Sequence, residues 1–305
     1  MVIDPETGGG RRRRFATLLA LLVCLTGAGA PSSDPDLALE TRVATVGYRL
    51  AAGARARCPV PEVMAGMVLH DIGGYAQSDR PAIAKSPGLG DGFGIRALVP
   101  GGAAARAGLR AGDEIVALNG RDLTGFARDA IGRTGSFDRS ERFTDLLAAA
   151  LAPGPVDLRV RRGDGEATVR LAGDPGCAAR FAVAVERTPN ARADGRYVAV
   201  TSGLAARAAS DDALAFPIAH EMAHILLGHV AVRRAGAGVA VLRAQELAAD
   251  DLALAIMADA GYAPRAAVPL LASLGGVLRI DRAHPPLSLR IARIEAALRV
   301  GGGTR

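Results

Sequence analysis

The chain changes its pattern of hydrophobic and polar positions several times along its length. Residues 35–57 place apolar side chains at helical spacing among charged ones, which predicts an amphipathic helix. A stretch rich in Gly, Ser and Pro follows from 73 to 92, and short β-type runs separated by Gly and Pro turns then continue over 92–173. Beyond them the pattern predicts strands at 181–185 and 197–201, and then helices. Strands followed by helices in this order indicate an α+β fold.

Composition narrows the class of protein. The chain has 305 residues, of which 50% are hydrophobic and 22% charged, enough for one large domain or two ordinary ones. Apart from residues 15–23 no apolar run is long, whereas a membrane span needs about 20 such residues. The net charge of +6 would suit nucleic-acid binding only if basic residues clustered on one element, and apart from Arg11–Arg14 they do not. We therefore expect no nucleic-acid partner.

The first residues have the three parts of a secretory signal. Arg11–Arg14 form a basic region, residues 15–23 an apolar region, and residues 26–30 a run of small residues. We place the cleavage after Ala28 and predict export to the periplasm or the cell envelope. The alternative is an uncleaved segment that anchors the chain to the membrane. Removal of residues 1–28 would take away four arginines and two acids, so part of the basic character belongs to targeting.

Two of the three cysteines lie beyond this signal, at Cys58 and Cys177. In an oxidising compartment such a pair forms one disulfide that closes a long loop. The alternative is two buried free thiols, and we favour the disulfide.

The sharpest chemical pattern is His220-Glu-Met-Ala-His224. On a helix, residues four apart share one face, so both imidazoles can reach one Zn²⁺ at about 2.0–2.1 Å. Glu221, beside the first ligand, can then act on water as general base. The alternative is two histidines on an Ala/Leu-rich helix without a metal. The residues downstream of this motif argue against that alternative.

A catalytic zinc takes three protein ligands and leaves one position for water. A metzincin would place Gly and His where this chain has Leu227 and Val230, so that family is excluded. We interpret His229 as a helix-end residue. Glu246 and Asp250 lie four apart on a second predicted helix, so Glu246 completes a His₂Glu set while Asp250 orients a ligand imidazole. The alternative for Glu246 or Asp250, each taken singly, is a carboxylate on a solvent-exposed face of the helix.

The β-type region contains a second informative string. From Gly92 to Gly120 it is similar to a PDZ domain of the bacterial protease type, through Ala-x-x-Ala-Gly-Leu-x-x-Gly-Asp-x-Ile. Residues 156–161 and 166–171 would supply the closing strands, with residues 122–150 as an added helical insertion. The resemblance implies capture of an extended peptide or a C-terminus along a sheet edge. The alternative is a tethering β-module that binds nothing.

The motifs around the candidate zinc site also occur in a known order. They are Asn190-Ala-x-Ala-Asp-Gly195, His220-Glu-x-x-His224, Glu246-x-x-Ala-Asp250, Met257-Ala-Asp-Ala-Gly-Tyr-Ala-Pro264 and His284-Pro-Pro-x-x-x-Arg290. Over roughly 177–295 the chain thereby resembles the CAAX-prenyl-protease-like, HtpX/BepA-like family of zinc metallopeptidases. The resemblance implies one Zn²⁺ per chain and the following roles: His220, His224 and Glu246 as ligands, Glu221 as base, Asp250 behind a ligand, His284 and Arg290 at the oxyanion, and Asn190 at the substrate strand.

Two positions depart from the family pattern. Pro217 lies in the run leading to His220, which predicts a helix that starts late or kinks there. Arg192 stands where an aromatic or apolar residue is commoner, which would alter what the neighbouring substrate strand accepts.

These inferences combine into four segments: a signal at 1–28, an N-terminal helical segment and connector at 29–91, a PDZ domain at 92–173 and a catalytic domain at 174–305. The expected fold is a mainly helical, zincin-type domain with a small sheet and an inserted PDZ module. We expect a zinc metalloendopeptidase acting on misfolded or envelope proteins; the alternative is a catalytically latent PDZ adaptor or chaperone. Expected partners are protein or peptide substrates and a PDZ ligand peptide, with peripheral membrane association compatible with the sequence.

Overall fold

The structure is a computed structural model that describes residues 35–85, 88–275 and 284–301. The chain divides into two units, Met1–Pro31 and Ser32–Arg305, and every described residue lies in the second. The predicted signal at 1–28, and its alternative as an anchor, lie outside the described residues. Within the described part, no helix has the length and apolarity needed to cross a bilayer.

Helices make up the largest share of the described residues. The α-helices are α1 Pro35–Gly53, α2 Arg80–Ile83, α3 Ala103–Arg106, α4 Asp138–Leu151, α5 Ser202–Arg207, α6 Asp211–Leu226, α7 His229–Arg234, α8 Val239–Asp259, α9 Ala267–Leu274 and α10 Leu287–Gly301. Short 3₁₀ turns occur at Ala54–Arg57, Ile72–Gly74, Arg128–Ala130 and Pro264–Ala266. The amphipathic helix predicted for residues 35–57 is thus an α-helix that ends in a 3₁₀ turn.

The strands form three sheets in the described part of the chain. They are β1 Pro61–Met64, β2 Met67–His70, β3 Phe93–Leu98, β4 Glu114–Leu118, β5 Arg121–Asp122, β6 Val156–Arg162, β7 Gly165–Leu171, β8 Asp174–Cys177, β9 Arg180–Ala184, β10 Ala191–Ala193 and β11 Tyr197–Thr201. The largest sheet has the order β2-β3-β4-β6-β7, with β5 paired to β4. A second sheet has the order β10-β11-β9, and β1 pairs with β8. With helices and sheets segregated along the chain, the predicted α+β class is confirmed.

The six-stranded sheet, α3 and α4 share one core and form a module that we call the β module. Phe93 of β3 and Phe143 of α4 are fully buried and stack with ring centroids 4.1 Å apart. Arg139 is also buried, lies over the Phe93 ring and donates to the backbone carbonyls of Gly92 and Phe126. The insertion predicted as helical over 122–150 is an α-helix only from Asp138, because its earlier residues form β5 and a 3₁₀ turn.

A second core lies among the helices that carry the candidate site. α6 packs against α8 and α1 through Ala, Leu and Ile side chains, whose small average size lets the helices approach closely. Ser210 caps α6 by accepting a hydrogen bond from the Ala213 amide at 3.1 Å, and acidic residues occupy the first turn. The helix begins at Asp211 and is continuous across Pro217, so the late start predicted there is wrong.

Polar contacts join the β module to the helical core, which itself holds a disulfide. That disulfide links Cys58, just after the 3₁₀ turn that ends α1, to Cys177 of β8, 119 residues apart in sequence. The Tyr48 hydroxyl of α1 donates to Asp174 and accepts from the Ala103 amide of the β module at 3.2 Å. Burial, with the hydrogen bond to Asp174, raises the pKa of Tyr48 to about 12, so this hydroxyl remains a donor at any physiological pH.

Candidate metal centre

Two helices bring the three predicted ligands together. α6 carries His220 and His224 one turn apart, and α8 places Glu246 opposite them. The Nε2 atoms of the two histidines lie 3.2 Å apart, and the Glu246 carboxylate oxygens lie 3.3 Å from His220 Nε2 and 3.5 Å from His224 Nε2. All three side chains are buried. Among the described residues they form the one group of three His, Cys, Asp or Glu side chains close enough to share a metal.

These separations fit a zinc ion. Two ligand atoms about 2.05 Å from zinc at a tetrahedral angle lie about 3.3 Å from each other. The two Nε2 atoms are 3.2 Å apart, Glu246 approaches His220 through Oε2 at 3.3 Å and His224 through Oε1 at 3.5 Å, and one ligand atom from each residue lies within 4.8 Å of the other two. Glu246 Oε2 is buried without a hydrogen-bond partner among the described residues, although a buried carboxylate oxygen normally has one. A cation between the three side chains would satisfy this oxygen.

The ionisation of the site also favours a cation. Burial lowers the pKa of His220, but its hydrogen bond to Asp250 and the neighbouring Glu246 outweigh burial and raise this pKa to about 9. Burial raises the pKa of Glu246, and the two imidazoles outweigh it and hold this pKa well below its usual range. The carboxylate is therefore ionised at neutral pH, and a metal would displace the proton of His220 as its partner.

Asp250 holds His220 from the side away from Glu246. Its Oδ1 lies 2.9 Å from His220 Nδ1, which leaves Nε2 for a metal. Arg290 of α10 donates from Nε and Nη2 to the two Asp250 oxygens at 2.8 and 2.6 Å. Burial raises the pKa of Asp250, but the hydrogen bonds from Arg290 outweigh burial and lower it. The Arg290 guanidinium is thus directed at Asp250, a geometry that favours support of His220 over the oxyanion role implied by the resemblance.

The remaining predicted residues line the same cleft, which has a volume of about 430 Å³. Glu221 is half-buried in its wall, next to the first ligand. The His284 side chain is 33% exposed, with Nε2 3.6 Å from Glu246 Oε2. Asn190 leads into the edge strand β10 and is paired through its backbone with Thr201. The structure therefore brings the predicted base, the cleft histidine and the predicted substrate strand around one space.

Two further side chains contact the candidate ligands, and the sequence analysis gave neither of them a role at the metal site. His229 begins α7, and its Nδ1 lies 3.1 Å from Nδ1 of His224. Burial and the neighbouring His224 lower the pKa of His229 to about 4, so its ring is neutral at physiological pH. Arg233 donates to Glu246 Oε1 at 2.8 Å. The sequence signal for this arrangement is Gly228, whose φ of +68° turns the chain back towards the ligands.

Comparisons with known proteins support the sequence resemblance. Residues 165–242 and 235–298 match the profile of peptidase family M48, and residues 94–131 match that of the PDZ domain. The predicted combination of an M48-type metallopeptidase region with a PDZ domain is thus confirmed. The peptidase match contains every candidate ligand and the candidate base. No curated protein is significantly similar to the chain.

Two solved structures are similar to parts of the chain. One is the HtrA3 PDZ domain bound to a phage-derived ligand (FGRWV), with 23% identity over 38% of this chain and 89% of that chain, and a TM-score of 0.27. The other is a PDZ domain protein from Parabacteroides distasonis, with 19% identity over 39% of this chain and 21% of that chain, and a TM-score of 0.26. The functional argument rests on the family match and on the site.

Proposed function

We propose that this chain is an exported zinc metalloendopeptidase that hydrolyses peptide bonds in misfolded or envelope proteins. The observation that carries the proposal is the buried trio of His220, His224 and Glu246, close enough to share a metal, in which Glu246 Oε2 has no hydrogen-bond partner among the described residues. The match to peptidase family M48 supports the class of reaction.

Each residue of the cleft has a place in hydrolysis. A zinc ion held by the trio would supply Lewis-acid chemistry, polarising the scissile carbonyl and acidifying water. Glu221 takes a proton from the attacking water and returns it to the leaving amine. His284, partly exposed at the same cleft, donates to the developing oxyanion. Asp250 and Arg290 act through His220, whose ring they orient.

The substrate would lie extended beside β10. This strand is at one edge of its sheet, pairs with β11 through residues 191–193, and borders the cleft with its other side. Main-chain pairing to an edge strand recognises the peptide backbone of many sequences, which suits unfolded proteins as substrates. Arg192 of this strand is exposed and paired with Glu186 at 3.0 Å, so the edge carries charge where the family favours an apolar residue.

Glu221→Gln tests the enzymatic proposal. The change keeps the shape of the side chain and all three ligands, and removes the base. We expect one zinc per chain, as in the wild type, and casein cleavage slower by about 10²–10⁴-fold. The control is wild-type protein treated with a chelator and then reloaded with zinc. A zinc-loaded variant with unchanged turnover would disprove the role of Glu221, whereas a wild type that neither binds zinc nor cleaves casein would favour the latent adaptor.

A second cleft is the proposed site of the PDZ ligand peptide. It has a volume of about 600 Å³ and lies between the edge strand β2 and α4, with Met67, Leu69, Leu147 and Ala148 among its lining residues. The edge strand β9 of the second sheet borders the same cleft. An extended peptide can add to the edge of β2 and place alternate side chains against α4.

Two neighbouring residues of α4 test this site. Ala148 lines the cleft, whereas Ala149 is exposed outside it. We expect peptides selected from a random C-terminal library on the wild type to bind Ala149→Arg and to lose binding to Ala148→Arg, because the new side chain would fill the cleft. Equal peptide binding by both variants would disprove this cleft as the peptide-binding site.

The proposed location rests on the basic, apolar and small-residue order of residues 11–30 and on the disulfide, which suits an oxidising compartment. Mass spectrometry of the protein isolated from its native cells tests it. A chain that begins at Gly29 supports export with cleavage after Ala28, whereas a membrane-bound chain that retains residues 1–28 supports the anchor.

A further inference from the structure

The short helix α7 contacts two of the three candidate ligands. α7 follows α6 directly, and Gly228 between them has the left-handed φ of +68° that lets the chain reverse within two residues. His229 and Arg233 lie four residues apart and hence on one face of α7. That face contacts two different ligands, since His229 lies against His224 and Arg233 against Glu246.

His229 contacts Nδ1 of His224, the ring nitrogen that faces away from the candidate metal position. His224 directs Nε2 towards His220 and Glu246, and its Nδ1 lies 3.1 Å from His229 Nδ1. A histidine that ligates through Nε2 carries its proton on Nδ1 and donates it to an acceptor that fixes the ring. Asp250 is that acceptor for His220 at 2.9 Å, and His229 occupies the equivalent place for His224.

Arg233 forms a hydrogen bond with one of the two carboxylate oxygens of Glu246. Oε1 accepts from Arg233 Nη2 at 2.8 Å, whereas Oε2 has no hydrogen-bond partner among the described residues. A carboxylate fixed through one oxygen presents the other in a defined direction. The Arg233 side chain is 49% exposed, whereas Glu246 is 1% exposed, so the arginine reaches inward from the surface to a buried ligand.

From these contacts we propose that α7 is a clamp for the metal site, in which His229 and Arg233 are positioning residues for His224 and Glu246. The inference rests on the proposed zinc site. His229 accepts the Nδ1 proton of His224, and Arg233 fixes Glu246 Oε1. Each of the three ligands then has its own support, because Asp250 holds His220. The next residue, Arg234, donates instead to the Asp194 carbonyl of the β10–β11 turn at 2.6 Å.

Zinc affinity tests the clamp without relying on catalysis. The dissociation constant is measured by competition with a chromophoric chelator for the full chain and its variants. We expect His229→Leu and Arg233→Met each to bind zinc about 10–100-fold more weakly than the wild type, the range found when a partner behind a ligand is removed. His229→Asn should remain within about threefold of the wild type, because its amide oxygen can replace Nδ1 as acceptor.

A neighbouring arginine supplies the matched control. Arg234→Met removes a guanidinium from the same helix but leaves both ligand contacts intact, so its zinc affinity should equal that of the wild type. The absorption spectrum of the cobalt-substituted protein gives a second readout, which should change in His229→Leu and be restored in His229→Asn. Circular dichroism checks that each variant is folded.

The outcomes separate the clamp from the proposed function. Wild-type affinity in both His229→Leu and Arg233→Met would overturn the clamp and leave the zinc site standing. Equal weakening by Arg234→Met would also overturn it, because the effect would then follow the placement of α7 and not the ligand contacts. A wild type that binds no zinc would disprove the proposed function itself.

Discussion

Two ion pairs join the same two helices and differ mainly in burial, which allows a sharp prediction. Asp250 of α8 pairs with Arg290 of α10 at 2.6 Å, and the next residue, Asp251, pairs with Arg293 at 2.6 Å. The side chains of the first pair are 1% and 10% exposed, and those of the second are 44% and 49% exposed. The change we consider is Asp250→Asn, with Asp251→Asn as its matched control.

The expected magnitudes differ because water can replace only the exposed partner. Asp250→Asn keeps the size of the side chain but leaves the Arg290 guanidinium buried without a counterion. Breaking a buried pair in this way destabilises a protein by about 3–5 kcal/mol. An exposed pair contributes only about 0–1 kcal/mol, so Asp251→Asn should be nearly neutral. Because Asp250 also orients His220, its variant should bind zinc about 10–100-fold more weakly.

Denaturant unfolding measures the first effect and zinc competition the second. Unfolding is followed in the presence of a chelator, so that a change in metal affinity does not enter the free energy of unfolding. The double variant Asp250→Asn with Arg290→Met, which removes both charges, should recover part of the lost stability. Equal destabilisation by Asp250→Asn and Asp251→Asn would refute the argument from burial, and unchanged zinc affinity would refute the role of Asp250 behind His220.

Three further predictions concern the framework of the site. Burial and the charge of Arg96 lower the pKa of His70 to about 4. The stability that this neutral histidine contributes above pH 6.5 should be lost, by up to about 3 kcal/mol, as the pH falls to 4. His70→Gln should flatten that part of a pH series of unfolding curves. Replacing Cys58 and Cys177 by Ala should lower the free energy of unfolding by about 2–5 kcal/mol, and the wild type should show no titratable thiol from this pair before reduction. Gly203→Ala should lower thermal stability, since a Cβ there would collide with a backbone carbonyl.

Local spacing explains which parts of the site were accessible from the sequence. His220 and His224 are four residues apart on one helix, and Glu246 and Asp250 are four apart on another, so each pair had to share a face. Regular helices carry that information within five residues. The strands β6 and β7 were predicted from the resemblance to a PDZ domain, and along β6 buried and exposed residues alternate as on one face of a sheet.

Contacts set by a chain reversal were not accessible in the same way. The role of His229 depends on the turn at Gly228, which determines where the α7 face points after α6 has ended. The direction of Arg290 depends on how α10 docks on α8, where its partner Asp250 lies 40 residues earlier in sequence. Gly228 signals that the chain turns there, but neither the direction of the α7 face nor that of Arg290 can be read from neighbouring residues, so a helix-end histidine and a cleft arginine were reasonable interpretations.

The sheet of β9, β10 and β11 gives the two clefts a shared framework. Its order is β10-β11-β9, so β10 forms the edge at the metal cleft and β9 forms the edge at the cleft of the β module. Only β11 separates them, and it pairs with β9 over residues 197–201 and with β10 over residues 198–200. A strand fixed by hydrogen bonds on both sides transmits a change of position more rigidly than a loop would. An extended peptide in either cleft would therefore contact an edge of one continuous three-stranded unit, which argues that the β module is built into the peptidase framework and is not merely attached to it.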